Sequence, residues 1–508
     1  MMGSLFSSIS GLKNHTTWMN VIGNNISNVN TVGYKESRIT FKEAISQSMG
    51  SASAASDSSN LGGINPEQMG LGSSVGSIDT VMTQGTIQTT GNATDVAIDG
   101  SGFFIAKSGG STYYTRAGNF SFDNEGNLVT SSGALVQGWQ MKYTTTGAGV
   151  AMISTGSLDT NTSVSKITIP QNLVLEPQAT SDVNTAAGAT SMFDQNYGIV
   201  LKGNLDSMTP ENTSAAPGAG YPVAGYTASA TTTATVYDSL GKEHDITFDW
   251  TQTADTANGA AASWSWTAYD TTGGKTISTA GPTAANPNVA TVVGHNTAAI
   301  TFNTDGSIAT NGNAAGTQCE TITIPAALLG GATQPQVISV NLGTPNNTVT
   351  GTVGKRDGIT GDFGSGTYDT TGVYSPKQTI YFGSADGYAD GTLKSVSVDS
   401  TGGINCTFSN NKTITVAKLA LANFSNSEGL AKAGGTMFVQ TANSGNAQVS
   451  TAGNAGLGTT TGGALEASNV DLSVELTNMI IAQRGFESNA RIVTTSSDML
   501  TTLVNLGK

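Results

Sequence analysis

The chain has 508 residues, of which 11% are charged and 64 are glycine, with a formal net charge of −14. An ordinary soluble domain carries about 25% charged residues, so tight turns, short strands and Thr/Ser-covered surfaces fit this composition better than exposed charged helices. The acidity argues against a nucleic-acid partner, whose phosphates require clustered Lys and Arg. The length leaves room for two to four domains.

At the start of the chain, Leu5, Ile9, Leu12, Thr16, Met19, Gly23 and Ile26 step by four and three residues, with Phe6, Ile22 and Val29 widening the stripe. This is the pattern of a helix that buries a seam against a partner helix. Asn28, Asn30 and Gly33 place its C-terminal boundary within 29–33, since Asn and Gly tolerate the left-handed conformation that closes a helix. Residues 34–49 form a second short amphipathic element around Ile39, Phe41 and Ile45. The Ser/Ala/Gly-rich stretch 50–63 reads as a flexible linker.

From Ile64 the period changes to two. Val75, Ser77, Ile78, Thr80, Val81 and Thr83 alternate, then Val96, Ile98, Phe103, Phe104 and Ile105, punctuated by Asp99-Gly100 and by the turn at 123–127. Residues 378–439 have the same texture, so the two stretches read as halves of one antiparallel body. Residues 141–374, rich in Thr, Ala and Gly with scattered strands, read as an insertion between those halves.

At the far end, Leu472, Leu476, Met479, Gln483, Phe486, Ala490, Val493, Ser497, Leu500 and Val504 repeat the seam spacing, and 464–506 contains no Pro. A continuous helix there would be a rod of about 55–60 Å. Either the two terminal helices pack on the body as core helices, or they bury their stripes against neighbouring chains. Periodicity does not choose between these.

The expected fold class is therefore α+β: terminal coiled-coil helices, a discontinuous antiparallel β-rich body and an inserted β-rich outer domain. Its expected divisions are 1–63 (helix and linker), 64–140 and 375–457 (body), 141–374 (insertion) and 458–508 (C-terminal helix). The start of the chain lacks a basic region followed by a continuous apolar run, so export, if it occurs, is expected by a dedicated route without a cleaved signal. With no stretch of about 20 apolar residues, membrane insertion is not expected.

Catalytic patterns are weak. His15, His244 and His295 have no metal-ligand spacing, so no metal is expected. Residues 70–76 depart by one residue from a dinucleotide fingerprint and precede a strand. The segment 386–391 lacks the later acidic ligand of a calcium loop, Ser397 standing where Glu is needed. Trp18, Trp139, Trp250, Trp264 and Trp266 fit a core better than a sugar groove, and Cys319 and Cys406 fit isolated structural thiols. Neither an enzyme nor a cofactor is expected.

The string Val21-Ile22-Gly23-Asn24-Asn25-Ile26-Ser27-Asn28-Val29-Asn30-Thr31-Val32-Gly33-Tyr34-Lys35 closely resembles the N-terminal signature of the bacterial flagellar axial proteins, the rod and hook subunits. The segment from Ala464 through Ser468, Asn469, Val470 and Asp471 to Gln483, Arg484 and Phe486 resembles that family's C-terminal signature. Asp95 to Phe104 and Tyr114 to Phe120 resemble its shared β domain. Val236-Tyr237-Asp238-Ser239-Leu240-Gly241-Lys242-Glu243-His244-Asp245 and 419–430 resemble segments of the hook branch.

The resemblance implies a helical homopolymer whose terminal helices line an inner tube, with a β layer around it and the insertion facing solvent. It implies a universal joint passing motor torque to the filament. Its implied partners are rod, hook-cap and hook–filament junction proteins and the flagellar type III export apparatus, with an extracellular location. A distal-rod type of axial protein is the alternative within the family. A β-rich exported adhesin or carbohydrate-binding surface protein is the alternative outside it.

Overall fold

The computed structural model describes residues 2–52, 54, 62–142, 144–145, 151–153, 158, 160, 162–182, 197–206, 228–254, 263–275, 290–296, 299–302, 308–311, 319–329, 334–343, 359–362 and 379–506. Much of the expected linker 50–63 lies outside them. Two long helices frame the chain: α1 (Met2–Ser27) and α2 (Leu472–Leu506). With 35 residues, α2 is about 52 Å long. It starts later than its Pro-free stretch suggested because Ala464–Glu466 is a strand, paired antiparallel with Ile87–Thr89. Asp471 caps it: Oδ1 accepts the backbone N–H of Ser473 at 2.8 Å and of Val474 at 3.2 Å. α1 ends at Ser27, short of the expected 29–33 boundary, and the chain turns on through Gly33, whose φ of +66° suits glycine.

The element expected at 34–49 is two strands. Ser37–Glu43 pairs with Ser73–Thr80, and Ser46–Gly50 with Glu67–Gly70. Residues 64–80 therefore belong to this two-ribbon arm, not to the body. The arm packs on α1, where Asn14 Nδ2 donates to Ser73 Oγ at 2.8 Å and Trp18 meets Phe41 edge-on at 5.9 Å.

The body is one large, mostly antiparallel sheet. Its strands run Leu173–Leu175, Gly391–Val398, Gly403–Phe408, Thr413–Asn423, Leu135–Gln140, Phe103–Ser108, Ser111–Thr115, Met437–Val439 and Ala431–Gly434. Strand alternation sends Phe104 to one face, with Ile98, Ile167, Leu175, Ile404, Phe408 and Leu421, and Phe103 and Ile105 to the other, with Tyr114, Phe424 and Phe438. The expected boundaries shift accordingly: Ile167, Leu173 and Leu175 lie in the body core, so the body continues past 141. At its other end, Thr459–Gly462 pairs with Val96–Asp99, so the chain is still in strands beyond 457.

The second β unit has two sheets over one core. Ala230–Tyr237, Glu243–Ala254 and Ser263–Asp270 lead one sheet; Ile199–Asp206, Glu320–Ile324, Gln336–Asn341 and Tyr381–Ala385 lead the other, which also contains parallel pairings. Because Tyr381–Ala385 belongs here, this unit extends past the expected limit at 374. Trp250, Trp264 and Trp266 are core residues, as is Trp139 of the body. The chain enters and leaves at one place, where Gln178 and Tyr388 exchange both backbone hydrogen bonds at 3.0 and 2.9 Å. His244 is buried between Asp238 (3.6 Å) and Asp270 (3.8 Å). Cys319 and Cys406 are buried, one in each β unit, and not joined in a disulfide, and burial pushes each thiol up to about 12.

Candidate functional site

α1 and α2 pack antiparallel in a register fixed by three pairs. A Cβ at Gly11 would stand 2.8 Å from the Asn489 side chain, a Cβ at Gly485 would stand 2.5 Å from the His15 ring, and Asn25 Nδ2 donates to Glu475 Oε1 at 3.0 Å. The register along the line of contact is thus set by small and polar groups, with Ile22 the large apolar side chain fully buried on α1. Ser8, Asn14, Ile22 and Asn25 are buried on α1, and Glu475, Ala482 and Ser496 on α2.

The expected apolar seams lie beside this line. Leu472, Leu476, Phe486 and Val504 of α2 and Ile9 of α1 are exposed, while Leu5, Leu12, Met19, Ile26, Met479, Ala490, Val493 and Leu500 are half-buried. Phe6, Val474, Ile480, Ile481, Ile492, Met499 and Leu503 are also exposed, as are Phe41, Ile45, Met49, Ile64, Met69, Leu71 and Ile78 on and beside the arm. Outside these regions the exposed large apolar side chains among the described residues are Leu240, Val337, Tyr381 and Val449. Large exposed apolar side chains concentrated in the helix pair and the arm in this way point to an interaction surface.

The motif residues split into anchors and surface positions. Tyr34 Oη donates to Asn24 Oδ1 at 2.7 Å, and Asn25 Oδ1 accepts the Ser37 N–H at 3.0 Å, so both asparagines fold the chain back after α1. Asn28 Nδ2 donates to the Asn24 carbonyl at 2.8 Å. A Cβ on Gly33 would collide with the Ala117 backbone N at 2.5 Å. Asn469 accepts the Glu36 N–H at 2.8 Å and donates to the Val81 carbonyl at 2.9 Å, and Val470 is buried. Ser468 Oγ accepts the Val470 N–H at 3.3 Å. Gln483 and Arg484 are exposed, Arg484 pairing with Glu487 at 3.2 Å, and around Gly23 a Cβ would meet nothing within 4 Å.

Sequence reasoning passed over the centre of this anchorage. Glu466, fully buried, accepts Lys35 Nζ at 2.5 Å and the Gly85 N–H at 2.9 Å on Oε1, and Arg116 at 3.2 Å on Oε2. Lys35 also donates to the Thr83 carbonyl at 2.7 Å and Arg116 to the Gly100 carbonyl at 2.8 Å, the guanidinium lying 5.3 Å from the Phe103 ring centre. Burial pushes both cations below their usual pKa, against the opposing pull of Glu466. Lys432 reaches from the body to the Lys35 carbonyl at 3.0 Å and to Ser37 Oγ at 2.9 Å, over the Tyr34 ring. Among the described residues no cluster of three His, Cys, Asp or Glu side chains suits a metal ion, and no helix is long and apolar enough to cross a membrane.

Family models match along the chain. Residues 5–35 match that of the flagella basal body rod proteins, 97–186 the D1 domain of the flagellar hook proteins FlgE/F/G, 204–388 the D2 domain of the flagellar basal body protein FlaE, and 461–506 the C-terminal region of the flagellar basal body rod FlgEFG proteins. These matches define a flagellar axial protein of the rod-and-hook class. The chain is 36% identical to the flagellar hook protein FlgE of Treponema pallidum over 522 aligned residues, covering 100% of both chains. It is 33% identical to that of Borreliella burgdorferi, again covering 100% of each, and 30% identical to that of Salmonella typhimurium, covering 99% of this chain and 100% of the relative. The chain belongs to the flagellar hook protein FlgE family, structural subunits of the flagellar hook, and this is not an enzyme family.

Proposed function

We propose that the chain polymerises into a curved helical tube in which α1 and α2 form the inner wall, the body surrounds them and the second β unit faces solvent. The tube acts as a universal joint, passing motor torque to the filament while it bends. One observation carries this reading: among the described residues, many large apolar side chains of α1, α2 and the arm, Phe6, Ile9, Leu476, Ile480, Ile481 and Ile45 among them, are left exposed, while the register of the two helices against each other is set largely by small and polar groups. Copies of the chain repeating by a contact that does not close on itself give a filament rather than a ring. The coiled-coil character of the ends then arises between chains. Rod, hook-cap and junction proteins are the partners at the two ends of the tube, and subunits reach its extracellular tip through the flagellar type III apparatus.

The test replaces Leu476 or Ile480 by Asp. A carboxylate in a packed apolar contact costs several kcal/mol, roughly 2–7 even for an uncharged polar group, so tube formation seen by electron microscopy is expected to stop while the near-ultraviolet signal of the buried tryptophans persists. Normal tubes from both variants would place these stripes in solvent and end the proposal.

A further inference from the structure

We propose that Glu466, held by Lys35 and Arg116, is the positioning residue that fixes the rotational setting of the helix pair on the β body, and so the coupling through which twist applied to the helices reaches the body. The inference rests on the reading of the chain as a torque-bearing hook subunit. Covalently, the chain passes between helices and body in two places: the segment 81–95 on the way in and 463–471 on the way out. These run together as a ribbon of two short strands, Ile87–Thr89 with Ala464–Glu466, and a two-stranded ribbon by itself is free to twist.

Glu466 stands at the helix-side end of that ribbon and joins three of the segments that meet there, while Lys432 of the body bonds the Lys35 carbonyl and Ser37 beside it. Lys35 belongs to the chain leaving α1, Gly85 and the Thr83 carbonyl to the inbound crossing, and Arg116 to the body, where its own position is set by the Gly100 carbonyl and the Phe103 ring. Charge-assisted hydrogen bonds fix both distance and direction, whereas apolar contacts in the same space would slide. A buried ionic cluster is poor evidence for stability, since apolar side chains of similar volume often serve the fold as well or better. What they cannot supply is the angular setting. With side-chain exposures of 1%, 5% and 0% for Lys35, Arg116 and Glu466, solvent does not compete for these bonds.

The experiment separates setting from stability with the triple variant Lys35→Met/Arg116→Met/Glu466→Met, and with Lys35→Met alone should the triple not fold. Spin labels at Ser488→Cys on α2 and Ser108→Cys on the body report the distance between the two units in the isolated chain; Cys319 and Cys406 are buried and stay unlabelled. The expected result is a broadened distance distribution at an unchanged melting temperature, and, in hooks assembled from the variant as the sole hook subunit, an increased torsional compliance in a tethered-bead assay. A distribution as narrow as that of the parent, or unchanged compliance, overturns the proposal. A parent chain that forms no tubes defeats the hook reading instead, and the label distances still decide whether Glu466 sets the angle.

Discussion

Gly23 offers a test in which the lone chain and the polymer are expected to respond with opposite sign. It lies in the last turns of α1, and a Cβ there would meet no heavy atom within 4 Å. A glycine inside a helix costs about 0.8–1.0 kcal/mol relative to alanine, and no close packing among the described residues offsets that cost at Gly23. Gly23→Ala is therefore expected to raise the stability of the isolated chain, by about 0.5–1 kcal/mol given its nearness to the helix end. Gly485→Ala supplies the contrast: its Cβ would fall 2.5 Å from His15 Cε1, and overpacking of about 1–3 kcal/mol offsets the same propensity gain, leaving a loss of about 0–2 kcal/mol. Urea melts followed by far-ultraviolet circular dichroism measure both. If the space beside Gly23 is kept open for close approach of a neighbouring copy, Gly23→Ala should also raise the concentration needed for tube formation. Destabilisation of the isolated chain would refute the packing argument, and assembly at the parental concentration would refute the reservation of that space.

Two further outcomes follow from the second β unit. Asp249 is buried there, and desolvation pushes its carboxyl up to about 6 from an ordinary 3.8; the stability contributed by its proton is fully present below about pH 4 and is lost as pH rises through 6. Asp249→Asn is thus expected to stabilise this unit near pH 8 by up to about 3 kcal/mol and to have little effect near pH 4, read from tryptophan fluorescence in urea; an equal effect at both would contradict the cause assigned. Because Gln178 and Tyr388 are hydrogen-bonded neighbours, replacing 179–387 by a short Gly/Ser bridge should leave a folded, tube-forming chain with altered curvature. A product that folds but forms no tubes would assign the excised unit to the wall of the assembly.

Short apolar runs bounded by Gly-containing turns announced the body strands; Phe103 and Phe104 fall on opposite sides of the sheet as the strand period requires, each into a core of its own. Three features stayed hidden for different reasons. Ala464, Leu465 and Glu466 favour helix locally, and pairing with Ile87–Thr89 overrides that preference. The internal helix contact is written in Gly11, Asn25, Glu475 and Gly485, which a search for apolar spacing cannot see. Lys35, Arg116 and Glu466 stood within the quoted family strings, but the partners are 431 and 350 positions apart in the chain, and local pattern carries no information at that range. The limits of the second β unit were misplaced because Thr- and Gly-rich sequence looks alike on either side of Gln178 and Tyr388.

The antiparallel register also has a practical side. α1 begins and α2 finishes at the same end of the helix pair, while Asn25 and Glu475, at the opposite end, lie against the anchorage to the body. A purification handle or fluorophore fused near Ser4 or Val504 would therefore crowd the apolar stripes. The second β unit joins the body where Gln178 and Tyr388 are hydrogen-bonded and Gly241 lies close against Pro177, so on the proposed tube architecture it is the place where cargo can be grafted away from the helix stripes.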